Sequence, residues 1–221
     1  MLKARRTNFV VSNMRMLAAV SALAGIMSGC AGTAGISGRL ILPGLPKPTA
    51  NAPAQKQAVP GTFGAQDAVI SVVAEGRRVK PTTRRPRIEE NGEGFDPRVL
   101  AVPVGAEVEF LNRDHVYHKA FSISPVKRFN LGAQAPGETH SIILDRVGVV
   151  KVYCELHPSA VGFVVILPND LFTKPNARGE FAFPELGEGT YTVKVWHPIY
   201  GKLERQVSVP RGGELGLELA Y

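Results

Sequence analysis

The chain is 221 residues long, enough for one large or two small domains. Its 44% hydrophobic content, with 23 glycines and 17 prolines, suits an all-β protein with many turns better than a helical one. The formal charge of +7 is concentrated at the start: residues 1–30 carry Lys3, Arg5, Arg6 and Arg15 and no acid, and without them 22 basic residues face 19 acidic ones, a net of +3. So small an excess argues against a nucleic-acid binder.

The basic stretch Lys3–Arg15 leads into the apolar run Met16–Met27. That run is short for a membrane span and reads as an export signal over residues 1–30. It ends in Met27-Ser28-Gly29-Cys30, which resembles the lipobox of bacterial lipoproteins, with Met27 in place of the usual Leu. The resemblance implies that Cys30 is lipidated and becomes the first residue of the mature chain. It also implies a periplasmic or cell-envelope location, at the outer membrane in a bacterium with two membranes, because Ala31 follows Cys30. The alternative is plain cleavage near Ser28–Ala31. The second of the two cysteines, Cys154, then has no disulfide partner in an oxidising compartment, and a metal bond would account for its presence.

Residues 31–66 read as a tether carrying one strand, Ile36–Leu42. Ala68–Ala74 is short and β-branched, as expected of a buried strand. Residues 76–94 read as a basic, proline-containing loop in which Arg77, Arg78, Lys80, Arg84, Arg85 and Arg87 form a solvated surface, the alternative being a dock for an acidic redox partner or anionic lipid heads. In Ala106–Phe110, apolar residues alternate with Glu107 and Glu109, which gives a strand with one dry and one wet face. Asn112-Arg113-Asp114 stops it. Further strands are expected at Thr139–Leu144, Val149–Cys154 and Gly162–Leu167, the last continuously apolar. A second block follows from Asn169, with strands at Gly179–Phe183, Tyr191–Trp196, Leu203–Val209 and Leu215–Tyr221. These make roughly half of a sandwich and need partner strands to bury their face.

The strand Val149–Cys154 puts Val150, Val152 and Cys154 on one face, so Cys154 ends a strand pointing into the core at its rim. His157 follows within a Cys-x-x-His loop. His118 lies just past the end of the strand Ala106–Phe110, and both loops can meet at one pole of a sandwich. One thiolate and two imidazoles suit a mononuclear type 1 copper. His115, His140 and His197 read as structural, His140 as a hydrogen-bonded core residue on the face of Ile142 and Leu144.

The pieces Phe95-Asp96-Pro97, Val102-Pro103-Val104-Gly105, Phe110-Leu111-Asn112, His118 to Ser122, Pro136-Gly137-Glu138, Gly148 to Cys154 and Cys154-Glu155-Leu156-His157-Pro158 carry a resemblance. Together, residues from about Phe95 to Leu167 resemble a plastocyanin-like cupredoxin. With Gly187 to Tyr191 and Trp196-His197-Pro198 added, the chain is similar to the subgroup labelled methylamine-utilisation proteins. The resemblance implies one type 1 copper on His118, Cys154 and His157, and a methionine as weak axial ligand three residues after the second His. Ala160 stands there, and the four methionines are residues 1, 14, 16 and 27, so no thioether is available after the signal.

The expectation is therefore an all-β protein that is not an enzyme. It pairs a cupredoxin Greek-key sandwich at 67–170 with a small transthyretin-like or carboxypeptidase-regulatory-like sandwich at 171–221. Strands from 35–75 either complete the second sandwich around an inserted copper domain, or Ala68–Ala74 opens the cupredoxin. The expected role is outer-sphere electron transfer in the cell envelope, as a monomer, with a redox protein as partner, no nucleic acid, and the lipid as the one membrane attachment. The alternative is a non-redox envelope interaction protein with a degenerate site. A zinc hydrolase with Glu155 as base fits less well, because Glu155 sits between two ligands on a tight loop. A binuclear copper centre would need a second thiolate, and multicopper oxidases need His-x-His pairs that this chain lacks.

Overall fold

The computed structural model describes residues 35–43, 63–73, 85–92, 94–183 and 186–221. The export signal, Cys30, most of the tether and most of the basic loop lie outside the described residues. In chain order the strands are β1 (Gly35–Ile41), β2 (Val69–Val73), β3 (Arg87–Asn91), β4 (Gly94–Asp96), β5 (Val99–Pro103) and β6 (Glu107–Asn112). They continue with β7 (Ala120–Ile123), β8 (Arg128–Asn130), β9 (Thr139–Ile143), β10 (Gly148–Cys154) and β11 (Val161–Leu167). The last are β12 (Phe172–Thr173), β13 (Glu180–Phe183), β14 (Gly189–His197), β15 (Gly201–Val209) and β16 (Glu214–Ala220). One 3-10 turn, Ala65–Asp67, precedes β2, and no α-helix occurs among the described residues.

Among the described residues the structure is all-β, and four sheets form two sandwiches. The sheets β5-β11-β10-β7-β8 and β4-β3-β6-β9 enclose one core, with Phe95, Val108, Phe110, Val150, Val152, Val164 and Ile166. β5 runs parallel to β11 and β3 parallel to β6, so the chain crosses between sheets instead of running as simple hairpins. The sheets β13-β1-β16 and β12-β2-β14-β15 enclose the other core, with Ile36, Leu40, Ile70, Val72, Phe181, Val193, Val195 and Leu219. β1 pairs with β13 and β16, and β2 with β12 and β14. The sandwich that holds Cys154 therefore begins, among the described residues, at β3 and not at residue 67. Gly179 turns the chain into β13 with φ +79°, and a Cβ there would lie 2.2 Å from the Leu40 carbonyl oxygen; this close approach to β1 needs glycine.

The apolar runs with no alternation are explained by burial on two faces. Along β11, Val164 and Ile166 point into the first core, while Val165 and Leu167 join Val69, Val99 and Trp196 in a cluster between the sandwiches. β2 divides likewise, with Ile70 and Val72 in the second core and Val69 in the same cluster.

The stretch 76–94, expected as a loop, contains β3. Its single large apolar residue, Ile88, is fully buried. The strand is held by its parallel ladder to β6 and by charge pairs across it: Arg87 donates to Glu109 at 2.7 Å, and Arg113 lies 2.8 Å from Glu89. A strand carrying one wet, charged face looks like a loop when only apolar periodicity is read.

His197 ends β14 fully buried and stacks 5.0 Å from the Tyr200 ring. Its Nδ1 accepts the amides of Ile199 and Tyr200, so the proton sits on Nε2 and is donated to the Gly64 carbonyl at 3.1 Å. Burial pushes its pKa below the ordinary imidazole value of about 6.5. The folded state thus keeps His197 neutral where the unfolded chain takes up a proton. Its contribution to stability is complete above pH 6.5 or so and is lost as the pH falls toward the lower folded value. Thermal unfolding at pH 7.5 and pH 5 should show a smaller acid-side loss in His197→Asn than in the parent; equal losses would count against this reading.

Candidate metal centre

Cys154 is carried by β10, whose inward positions are Val150, Val152 and Cys154. The alternation is strict because β10 is paired on both sides at its end, with Tyr153 opposite Val161 of β11 and Cys154 opposite Ala120 of β7. The thiol is therefore delivered to the top of the core, 3% exposed. The chain then turns tightly, with the Ala160 amide donating to the His157 carbonyl at 2.9 Å. That turn brings His157 Nδ1 to 3.5 Å from Sγ.

His118 comes from the loop between β6 and β7. Phe110 and Asn112 share the inward face of β6, so Asn112 caps the core beneath this loop. Its fully buried amide donates to the carbonyls of Val116 (2.8 Å) and Gln134 (3.0 Å), and its Oδ1 accepts from the Asp114 amide at 2.9 Å. His118 and Gln134 exchange two backbone hydrogen bonds, of 3.1 and 2.8 Å. The Asn112 and Gln134 contacts fix the loop at both ends. Neither residue is a metal ligand; the sequence signal for Asn112 is a polar residue that continues an inward-facing alternation.

His118 is 1% exposed, and its Nε2 lies 3.3 Å from Asp114 Oδ2. With Nε2–H donating to Asp114, the Nδ1 lone pair faces Cys154 Sγ at 3.6 Å. The Asp114 carboxyl is held below the usual range, first by the His115 amide and then by His118. The donor atoms of His118, Cys154 and His157 all lie within 4.8 Å of one another, and the two rings are 4.4 Å apart between centroids. Such a spread fits three bonds of about 2.0–2.3 Å to one ion. The Lys119 amide donates to Sγ at 3.4 Å and orients the sulfur.

Other residues stand elsewhere. Ala160 is buried in the core beside Cys154 and offers no donor atom. Glu155 is exposed and pairs with Lys119 at 2.6 Å, directed away from any role as a base in the pocket. His115 is exposed, and His140 is only partly buried, bonding the Leu131 carbonyl and Glu138 at 2.7 Å each; its place is the rim of β9, not the core. Glu90, unnoticed in the sequence because β3 resembled a loop, is fully buried with Oε2 3.4 Å from His118 Nδ1. That contact lacks hydrogen-bond geometry, and burial pushes the carboxyl up to about 7.

Replacing Asn112 with Ala would leave the Val116 and Gln134 carbonyls and the Asp114 amide without this partner. Denaturant unfolding of Asn112→Ala should show a loss of at least about 1–3 kcal/mol, the cost of one such buried group. A change of only a few tenths would show that the loop is held by other means.

No protein-family model and no curated protein matches the chain. Among solved structures it is similar to a purple cupredoxin from Nitrosopumilus maritimus, at 28% identity and TM-score 0.34, over 37% of this chain and 98% of that one. It is similar to a mutant of amicyanin in the Cu(I) state, at 19% identity and TM-score 0.36, over 44% and 97% of the respective chains. It is also similar to a copper-containing nitrite reductase from Thermus scotoductus SA-01, at 22% identity and TM-score 0.36, over 57% of this chain and 28% of that one.

Proposed function

We propose that this chain is an exported cupredoxin-type protein that binds one copper ion and passes single electrons to or from a protein partner. The observation that carries the reading is the convergence of His118 Nδ1, Cys154 Sγ and His157 Nδ1 at one pole of a rigid sandwich. A bound copper would supply a one-electron couple between Cu(II) and Cu(I). The protein's part is to hold the three donors in one arrangement for both oxidation states. Asp114 keeps His118 in the tautomer whose Nδ1 is free, the Lys119 amide donates to the Cys154 sulfur, and the core under Cys154 excludes water.

His157 is the more exposed of the two imidazoles. Exposed Val116, Tyr117 and Leu156 come from the same two ligand loops. This small apolar collar supports a weak, transient contact with a redox protein. Ala160 is buried and takes no part in this collar. A single thiolate and the lack of a His-x-His pair favour a carrier over a copper enzyme.

Adding Cu(II) to the apo-protein should produce one equivalent of binding and an intense visible band from thiolate-to-copper charge transfer. Cys154→Ser should remove the band while the β-sheet circular dichroism is kept. Colour that persists in Cys154→Ser, or no band in the parent, would overturn the assignment.

We place the protein in the cell envelope with Cys30 as its lipid anchor, a reading that rests on the lipobox resemblance. Fractionation should find Cys30→Ser in the soluble periplasmic fraction or unprocessed. Identical membrane association of the two forms would rule out the lipid.

A further inference from the structure

Two carboxylates stand against His118, one on each ring nitrogen. Asp114 takes the Nε2 side. Glu90 faces Nδ1, the nitrogen that also faces Cys154 Sγ. The Glu90 side chain is held there by β3, where Ile88 and Glu90 are the two fully buried positions. Its register partner in the parallel strand is Asn112, and its own carbonyl accepts the Arg113 amide at 2.9 Å. The segment that positions His118 therefore also positions Glu90.

Neither Glu90 oxygen has a hydrogen-bond partner. With the His118 proton on Nε2, the Nδ1 lone pair is directed at Cys154 Sγ, and Glu90 Oε2 lies beside it at 3.4 Å. A fully buried carboxyl group whose oxygens have no partner is disfavoured in a protein interior unless a proton or a cation meets it. At the other candidate position, Ala160 provides no donor atom, and no methionine follows the signal segment.

We propose that the Glu90 carboxylate is a fourth donor to the ion held by His118, Cys154 and His157, supplying an anionic oxygen where this chain has no thioether. The inference rests on the copper reading above. Glu90 adjoins one of the three donors and stands outside the group whose atoms all lie within 4.8 Å, so ligation needs the carboxylate to swing toward Sγ. Its rotatable side-chain bonds allow that. A hard oxygen donor favours Cu(II) over the softer Cu(I), so Glu90 holds the couple toward the oxidised ion.

The test uses the full chain with Glu90→Gln, which keeps the volume, and Glu90→Ala, which removes the group; if the latter fails to fold, the former carries the comparison. Electron paramagnetic resonance, the visible spectrum, and Cu(II) and Cu(I) affinities by competition are read for each. Both variants should keep a thiolate-to-copper band, because the three other donors remain. Its position and the copper hyperfine splitting should change. Cu(II) affinity should fall by roughly tenfold or more. Cu(I) affinity should stay nearly constant, so the reduction potential should rise. A structural role alone would weaken both oxidation states together and leave the spectra in place. That outcome, or no change at all, overturns the Glu90 assignment and leaves the copper reading standing. A parent protein with no thiolate band overturns both.

Discussion

The hydrogen bond from His118 Nε2 to Asp114 decides what the pocket can do. An imidazole has two nitrogens and, when neutral, one proton. With Nε2–H donating to Asp114, the other nitrogen presents a lone pair toward Cys154. Asp114 is in turn set by Asn112, whose side chain is a buried knot at the end of β6. The orientation of the His118 donor at the top of the sandwich therefore depends on a polar residue in the core position of a strand that bears none of the three candidate ligands. Such outer contacts orient ligands and set their basicity.

The thiol side of the pocket rests on different physics. Cys154 is placed by strand alternation and by ladders on both neighbours, not by a hydrogen-bonded loop. Behind it, β10 and β11 present apolar residues on two faces, one to the core under the site and one to the cluster shared with the other sandwich. Side chains packed on both faces of a sheet have little room to shift. This stiffness suits the copper site proposed above, which would keep one arrangement through a change of one electron.

Glu90 joins the two halves of the argument. A buried carboxylate without a donor is unfavourable for folding, and burial raises its pKa accordingly. Features that weaken a fold locally while facing a cluster of ligand atoms are expected at functional sites. The second sandwich shows no comparable cluster among the described residues. Its one fully buried histidine, His197, is satisfied on both ring nitrogens and serves to tie the segment before β2 to the end of β14.

The amino-acid sequence by itself determined the all-β class, the inward face of β10 and β6, and the Cys-x-x-His loop, because alternation with period two and short ligand spacings are local properties of the chain. It left open whether Val69–Val73 belonged with the ligand-bearing strands or with the C-terminal ones, since a short β-branched run buried on two faces carries no mark of its partners. The ladders to β12 and β14 decided that. It also hid β3, because a strand held by charge pairs and a parallel neighbour has almost no apolar signal. With β3 hidden, Glu90 was one acid among several in a basic stretch. Only the tertiary structure set it against His118, because the contact joins residues 28 positions apart on a parallel crossover, a distance over which sequence patterning carries no information.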